Sequence, residues 1–182
     1  MTTNLAPIAA PEASEYAPYY GQYISLVKGG DVLRALEEQR PITTSLFERL
    51  TDQQAEFRYA PGKWTIKEVL GHVIDTERIM SYRALRIARD DQKPLAGFEQ
   101  DDYVRAAEFG RRALAGLIEE FNAVRQATLL LLRNLGLEAW ARRGIANDKE
   151  VTVRALAYVI AGHELHHRKI LQEKYLTRAA GA

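Results

Sequence analysis

Hydrophobic residues recur every three or four positions along four long stretches of the chain, the spacing that places side chains on one face of an α-helix. This pattern predicts helices at residues 31–50, 65–88, 111–135 and 152–175, with a short helical turn at 101–109. No stretch alternates apolar and polar residues as a half-buried strand does. The sequence therefore predicts an all-α protein built as an up-and-down four-helix bundle.

Local signals mark where the first two helices begin. Asp31 precedes the first apolar stretch as an N-cap, and Thr65 with Glu68 has the spacing of a capping box before the second. Pro41 lies inside the first stretch. Because proline lacks an amide hydrogen and its ring clashes with the preceding turn, we expect Pro41 to kink or split that helix.

The first 30 residues differ in composition from the rest of the chain. They hold three of the six prolines, four of the nine tyrosines and the pair Gly29-Gly30. We predict an N-terminal arm at 1–30 and a single bundle domain at 31–182. Aromatic clusters usually serve packing, so we expect the tyrosines to pack along the outside of the bundle in preference to stacking on a ligand.

Charge and composition narrow the classes of function. Lys and Arg number 25 against 24 Asp and Glu, a formal net charge of +1 that offers no strong field to nucleic acid or to an anionic membrane. No apolar run reaches the length of a membrane span. Cysteine is absent, so any thiol in a reaction must arrive with a substrate. We predict a soluble, cytoplasmic protein that acts on a small molecule.

The four histidines carry the candidate chemistry. His163 and His167 are four residues apart on the apolar stripe of the fourth helix, so both side chains project into the bundle from one face. Two buried imidazoles on one stripe would each need a polar partner, and one shared cation satisfies both. His72, at the margin of the apolar stripe of the second helix, is the third candidate ligand. Three histidines with open positions describe a catalytic type of metal site.

Glu164 offers a second motif. His163, Glu164 and His167 match the metalloprotease pattern H-E-x-x-H, in which the glutamate activates a metal-bound water. Proteases of this type take a third ligand downstream, and no histidine follows His167. A protease fold is therefore disfavoured, while Glu164 stays a candidate base.

Arg83 and Arg86 lie further along the second helix. They could contact an anionic group of a substrate, but salt links to acidic neighbours at the surface are the favoured interpretation.

Two segments resemble a known family. They are PGKWTIKEVLGH at 61–72 and GHELHH at 162–167, and together they resemble the DinB-like superfamily over most of the chain after Asp31. The resemblance implies a four-helix bundle, often a homodimer, that binds a divalent metal ion. The ligand positions of the family fall on His72, His163 and His167. His166 is not a ligand in that pattern, and a role for Glu164 as base is not carried over by it.

The resemblance also implies a class of reaction, because the superfamily includes bacillithiol S-transferases and a mycothiol-dependent maleylpyruvate isomerase. We predict a metal-dependent thiol S-transferase in which zinc or nickel activates a low-molecular-weight thiol, whose pKa of ~8.5 falls on coordination. One alternative is a hydrolase that uses a metal-bound water. Another is a non-enzymatic bundle that the metal stabilises.

Overall fold

Four long helices form the body of the protein, and the computed structural model describes residues 7–177. In chain order the helices and strands are α1 (Gly21–Ile24), α2 (Val32–Glu48), α3 (Asp52–Ala55), α4 (Ile66–Ala88), α5 (Gln100–Ala107), α6 (Leu114–Arg133), α7 (Leu137–Trp140), β1 (Arg143–Ala146), β2 (Lys149–Thr152) and α8 (Val153–Ile170). Short 3-10 turns lie at Ala13–Glu15, Pro18–Tyr20 and Phe109–Arg111, and the π-helical segment Leu171–Leu176 continues α8. The predicted four-helix bundle is confirmed and consists of α2, α4, α6 and α8.

The four helices do not pack in chain order. Helix α4 packs against α8 and α6, and α2 packs against the same two helices, so α2 and α4 occupy opposite corners. The beginnings of α4 and α6 share one apolar cluster and their ends share the other. These two helices therefore run in the same direction, joined by the long connection 89–113, whereas a plain up-and-down arrangement would alternate them.

Two apolar clusters fill the bundle, one toward each end. One includes Leu36, Leu132 and Leu156, and the other includes Phe47 and Leu117. Between them lies a layer of buried polar side chains contributed by all four helices: Thr43, His72, Thr76, Glu77, Arg125, Thr128, His163 and Glu164. The candidate site therefore lies at mid-height in the bundle.

The predicted helix starts match the structure. The side chain of Asp31 accepts a hydrogen bond from the backbone nitrogen of Leu33, and Thr65 and Glu68 exchange both bonds of a capping box. Helix α2 continues without a break through Pro41. The expectation of a split helix was wrong, because residues on both sides of Pro41, including Leu36 and Phe47, are held in the apolar core.

A hairpin of β1 and β2 was not predicted from the sequence. Its two strands pair antiparallel, with Ala146 opposite Lys149, and Asn147 and Asp148 both adopt positive φ in the turn. Such two-residue turns favour Asn and Asp. Each strand has only four residues, too few to show a clear alternation of apolar and polar positions. Among residues 7–177, no helix is long and apolar enough to cross a membrane.

Candidate metal centre

Helix α4 presents His72 to the bundle interior. The capping box at Thr65 fixes the start of the helix, and His72 follows nearly two turns later with only 3% of its surface exposed. The glycine before it permits close packing, because a Cβ on Gly71 would lie 2.5 Å from the Phe109 ring. His72 is therefore a buried residue although its position in the apolar pattern was marginal.

Helix α8 supplies the other two imidazoles. The Nε2 atom of His163 lies 3.0 Å from that of His72 and 3.1 Å from that of His167. One ligand nitrogen from each of the three side chains lies within 4.8 Å of the others. The structure thus brings together the three histidines named from the sequence.

Burial keeps these imidazoles neutral. Desolvation is the main cause that lowers the pKa of His72 to about 4 and the pKa of His167 to about 3, with a smaller effect of neighbouring histidines. The pKa of His163 also lies well below its ordinary value because of burial. At neutral pH all three rings therefore carry a nitrogen lone pair, the form that binds metal.

The three nitrogens fit a divalent cation. A neutral imidazole nitrogen without hydrogen has one lone pair, so the Nε2 atom of His163 cannot accept hydrogen bonds from both of its neighbours. Two imidazole nitrogens that bind one tetrahedral ion at 2.0–2.1 Å lie about 3.3 Å apart, close to the separations seen here. Imidazole ligands suit zinc, copper, iron or nickel.

Two aromatic side chains enclose the histidines. The indole of Trp64 lies against His72 with 4.7 Å between ring centroids, and the Tyr23 ring meets His163 edge-on at 5.3 Å. Tyr23 belongs to α1, which packs tightly on α8: a Cβ on Gly162 would lie 2.1 Å from the Tyr23 carbonyl oxygen. The N-terminal arm therefore forms part of the wall of the site.

A cavity of about 360 Å³ opens beside His72 and His163. Its aromatic lining is Tyr19, Tyr20, Tyr23 and Phe98, and its polar lining includes Thr76, Arg83, Glu99, Gln100 and Asn147. The tyrosines of the arm were expected to pack outside the bundle. Tyr23 does pack against α8, but three of the four also line this cavity.

His166 lies outside the histidine cluster. It is half-buried, and its ring meets Tyr23 edge-on with 5.3 Å between centroids. The expectation that His166 is not a ligand stays a prediction.

Glu164 also lies outside the cluster, in a buried ionic network. Its carboxylate accepts hydrogen bonds from Arg125 Nη2 at 2.6 Å and from the Thr43 hydroxyl. Arg125 also donates to both oxygens of Glu77 and to the carbonyl of Leu36. Burial alone would lower the pKa of Arg125, but the charges of Glu77 and Glu164 raise it. The catalytic role of Glu164 stays a prediction, and its contacts favour a structural role.

The sequence did not predict the partners of Glu164. Arg125 lies four residues after Phe121 and four before Leu129, on the buried stripe of α6, and is completely buried. A charged residue inside an apolar stripe is the signal that could have revealed this network.

Comparisons with known proteins support the family and the fold. A family model described as the DinB superfamily matches residues 35–171. No curated protein matches the chain by sequence. Among solved structures, one similar protein is described as "YfiT from Bacillus subtilis is a probable metal-dependent hydrolase with an unusual four-helix bundle topology". The TM-score is 0.70 at 20% identity, and the match covers 94% of this chain and 93% of that chain. At this identity the likeness shows the fold.

Proposed function

The chain belongs to the DinB superfamily, and from this premise we propose that it is a divalent-metal-dependent thiol S-transferase. The observation that carries the proposal is the convergence of three imidazole nitrogens, two of them from buried side chains that line a cavity. In this proposal His72, His163 and His167 hold zinc or nickel. A bound divalent ion supplies Lewis-acid chemistry, which lowers the pKa of a low-molecular-weight thiol so that its thiolate forms at neutral pH.

The residues of the chain position the two substrates. The thiolate sulfur forms a bond to the electrophilic carbon, the leaving group departs with its bonding electron pair, and the thiol proton passes to solvent. Trp64 and Tyr23 cover the histidines and limit the approach of water. The aromatic lining of the cavity offers apolar surface to the electrophile.

The contacts of Glu164 favour thiol over water as nucleophile. A hydrolytic reaction needs a group that removes a proton from water during attack, and the Glu164 carboxylate is already held by Arg125 and Thr43. A thiolate needs no such base at the moment of attack. The transferase reaction therefore needs no general base among the side chains around the histidines, whereas the hydrolase reaction does.

Cobalt substitution tests the proposal. Purified protein is first analysed for metal, then loaded with Co²⁺ and titrated with 2-mercaptoethanol while the absorption spectrum is recorded. We expect near-stoichiometric metal and a new sulfur-to-cobalt charge-transfer band. The H72A variant is the control and should bind little cobalt. Metal without any spectral response to the thiol would overturn the transferase.

A hydrolase is the second candidate, because the similar structure from Bacillus subtilis is described as a probable metal-dependent hydrolase. In that case water replaces the thiol, and Glu164 or another group must accept its proton. Release of nitrophenol from 4-nitrophenyl acetate, lost in H72A and unchanged by thiol, would favour this candidate.

A further inference from the structure

Arg83 is a buried cation without an acidic partner among residues 7–177. It is 3% exposed, and no carboxylate of that part of the chain forms a salt bridge with it. The other two buried cations there differ: Lys67 pairs with Asp52 and Glu56, and Arg125 with Glu77 and Glu164. An unpaired buried charge is costly, so Arg83 stands out as a group that lacks an anion.

The contacts of Arg83 leave hydrogen-bond donors free. Nη2 donates to the carbonyl of Ala96 at 2.6 Å, Nη1 lies 3.6 Å from the sulfur of Met80, and the guanidinium lies over the Phe98 ring at 5.9 Å. A guanidinium has five N–H groups in a planar fork. The contacts with Ala96 and Met80 use two of these five groups, and the side chain lines the cavity.

Arg83 lines the same cavity as His72 and His163. It follows His72 by eleven residues, which places both on one face of α4 with their Cα atoms about 16 Å apart. Side chains on a helix lean toward its N-terminus, and the contact with Met80 shows this direction for Arg83, so the guanidinium points back toward the histidines. Between them lies Thr76, whose buried hydroxyl has no hydrogen-bond partner among the described residues.

We propose that Arg83 binds a carboxylate of the substrate at the end of the cavity opposite the histidines, with the Thr76 hydroxyl as an additional hydrogen-bonding group. The planar fork of a guanidinium matches a carboxylate in a two-point contact. The inference rests on the proposed function for the reacting end of the substrate. It assigns the substrate class: an elongated molecule with a thiol at one end and a carboxylate at the other.

A purely structural role for Arg83 predicts a different effect of its loss on ligand affinity. Its bond to Ala96 holds the loop after α4, so loss of the side chain could disturb the cavity for every ligand. If Arg83 recognises charge, by contrast, its loss changes the ratio of the affinities for an anionic ligand and for a neutral ligand of the same length. This ratio is the quantity to measure.

The experiment compares 6-mercaptohexanoate with 6-mercapto-1-hexanol on the cobalt-loaded protein. We expect the native chain to bind the carboxylate at least about tenfold more tightly, as a charge-assisted hydrogen bond predicts. R83M should abolish this preference, and R83K should keep part of it. R86M is the matched control: Arg86 lies one turn further on, pairs with Asp91, and should leave the preference unchanged. Circular dichroism confirms the helix content of each variant.

The outcomes separate this inference from the proposed function. Equal affinity of the native chain for the two thiols, or an unchanged preference in R83M, would overturn the role of Arg83. Equal weakening of both thiols in R83M would assign Arg83 to the loop alone. If neither thiol alters the cobalt spectrum, the transferase fails. Calorimetric titration of the zinc-loaded protein with hexanoate then decides on Arg83: binding that R83M removes supports the site, and no binding overturns it.

Discussion

At the residue scale, burial keeps the clustered imidazoles neutral, which is the form that can bind a metal ion. The same desolvation that lowers the pKa of His72 and His167 also removes the water that would otherwise bond their nitrogens. Each ring is therefore neutral at physiological pH and in need of a polar partner. His166 lies only 5.2 Å from His167 between ring centroids, and burial lowers its pKa too, but its imidazole is not one of the three whose nitrogens converge. Because both residues are histidines, their positions on the helix distinguish them.

Replacing His72 tests this distinction. In H72A we expect at least about a hundredfold weaker zinc binding, because one of three protein ligands is lost, with helix content unchanged. The measurement is competition with a chromogenic chelator. H166A is the matched control and should bind zinc within a few-fold of the native chain. Comparable losses in both variants would show that the ligand set is wrong.

At the element scale, the arm belongs to the site because α1 packs on α8 at Gly162. In G162A the new methyl group would meet the Tyr23 carbonyl, so α1 must move and Tyr23 must leave His163. We expect a destabilisation of about 1–3 kcal/mol in urea unfolding.

Gly116 provides the matched control for G162A. It lies in α6, and a Cβ there would meet nothing within 4 Å. Since alanine is the better helix former, G116A should stabilise the protein by about 0.5–1 kcal/mol. A stable G162A variant would mean that α1 does not press on α8.

Glu15, which precedes α1 in the arm, connects the arm to residues at the start of α8. It is buried and accepts hydrogen bonds from the Thr152 hydroxyl at 2.8 Å and from Arg154 Nε at 3.1 Å. Burial raises the pKa of Glu15, but the hydrogen bonds from Arg154, from the Glu12 backbone and from Thr152, together with the charge of Arg154, outweigh this effect, and the pKa is lowered below 4.5. The carboxylate therefore contributes stability above about pH 4.5, and this contribution is lost as the pH falls through the lowered pKa.

We expect E15Q to be about 1–3 kcal/mol less stable than the native chain at pH 7. The difference should shrink as the pH falls from about 4.5 through the lowered pKa of Glu15, because the native carboxyl then becomes protonated too. Urea unfolding at pH 7 and pH 3.5 measures both values. E48Q, at an exposed glutamate, should show almost no difference at either pH. If the difference in unfolding free energy between E15Q and the native chain stayed constant with pH, the stabilising effect could not come from the charge on Glu15.

The sequence was sufficient for the helices and for the pair His163 and His167 on one face of α8, since both follow from periodicity along one chain segment. His72, on another helix, was added as the remaining histidine and by the resemblance to the DinB-like superfamily. The sequence was insufficient for contacts between segments. Neither the pairing of Arg125 with Glu164 nor the packing of Tyr23 on His163 follows from helical spacing, because each joins residues on different elements. The hairpin was missed because its strands are short, and the burial of Arg83 because a loop covers it.

At the scale of the whole molecule, two apolar clusters fill the bundle, and neither contains a residue of the histidine cluster. Leu36 and Leu156 are buried in one cluster and Leu117 in the other. We expect removal of metal with a chelator to leave helix content unchanged by circular dichroism while the melting temperature falls. Unfolding on removal would favour the non-enzymatic alternative, a bundle that its metal stabilises.

The ionic network is the second determinant of global stability. In R125M, Glu77 and Glu164 would be left buried without their cation, so we expect a loss of about 3–5 kcal/mol in urea unfolding. In R78M, the half-exposed salt bridge between Arg78 of α4 and Glu120 is lost. We expect the free energy of unfolding to fall by about 1 kcal/mol or less. Similar losses in both variants would contradict the importance of the buried network.

The homodimer implied by the family remains a prediction for sedimentation analysis.

The position of the polar layer has a consequence for the accuracy of the site. The salt bridges of Arg125 with Glu77 and Glu164 join α6, α4 and α8 at one height in the bundle. An apolar cluster lies on each side of this layer and offers a charged group no polar partner. A slip of one helix by a single turn, about 5.4 Å, would carry a charge into one of these clusters. The ionic network therefore opposes axial sliding of the helices, although none of its side chains belongs to the histidine cluster. The spacing of the imidazoles on α4 and α8 is a property of bundle alignment, set before any ion arrives.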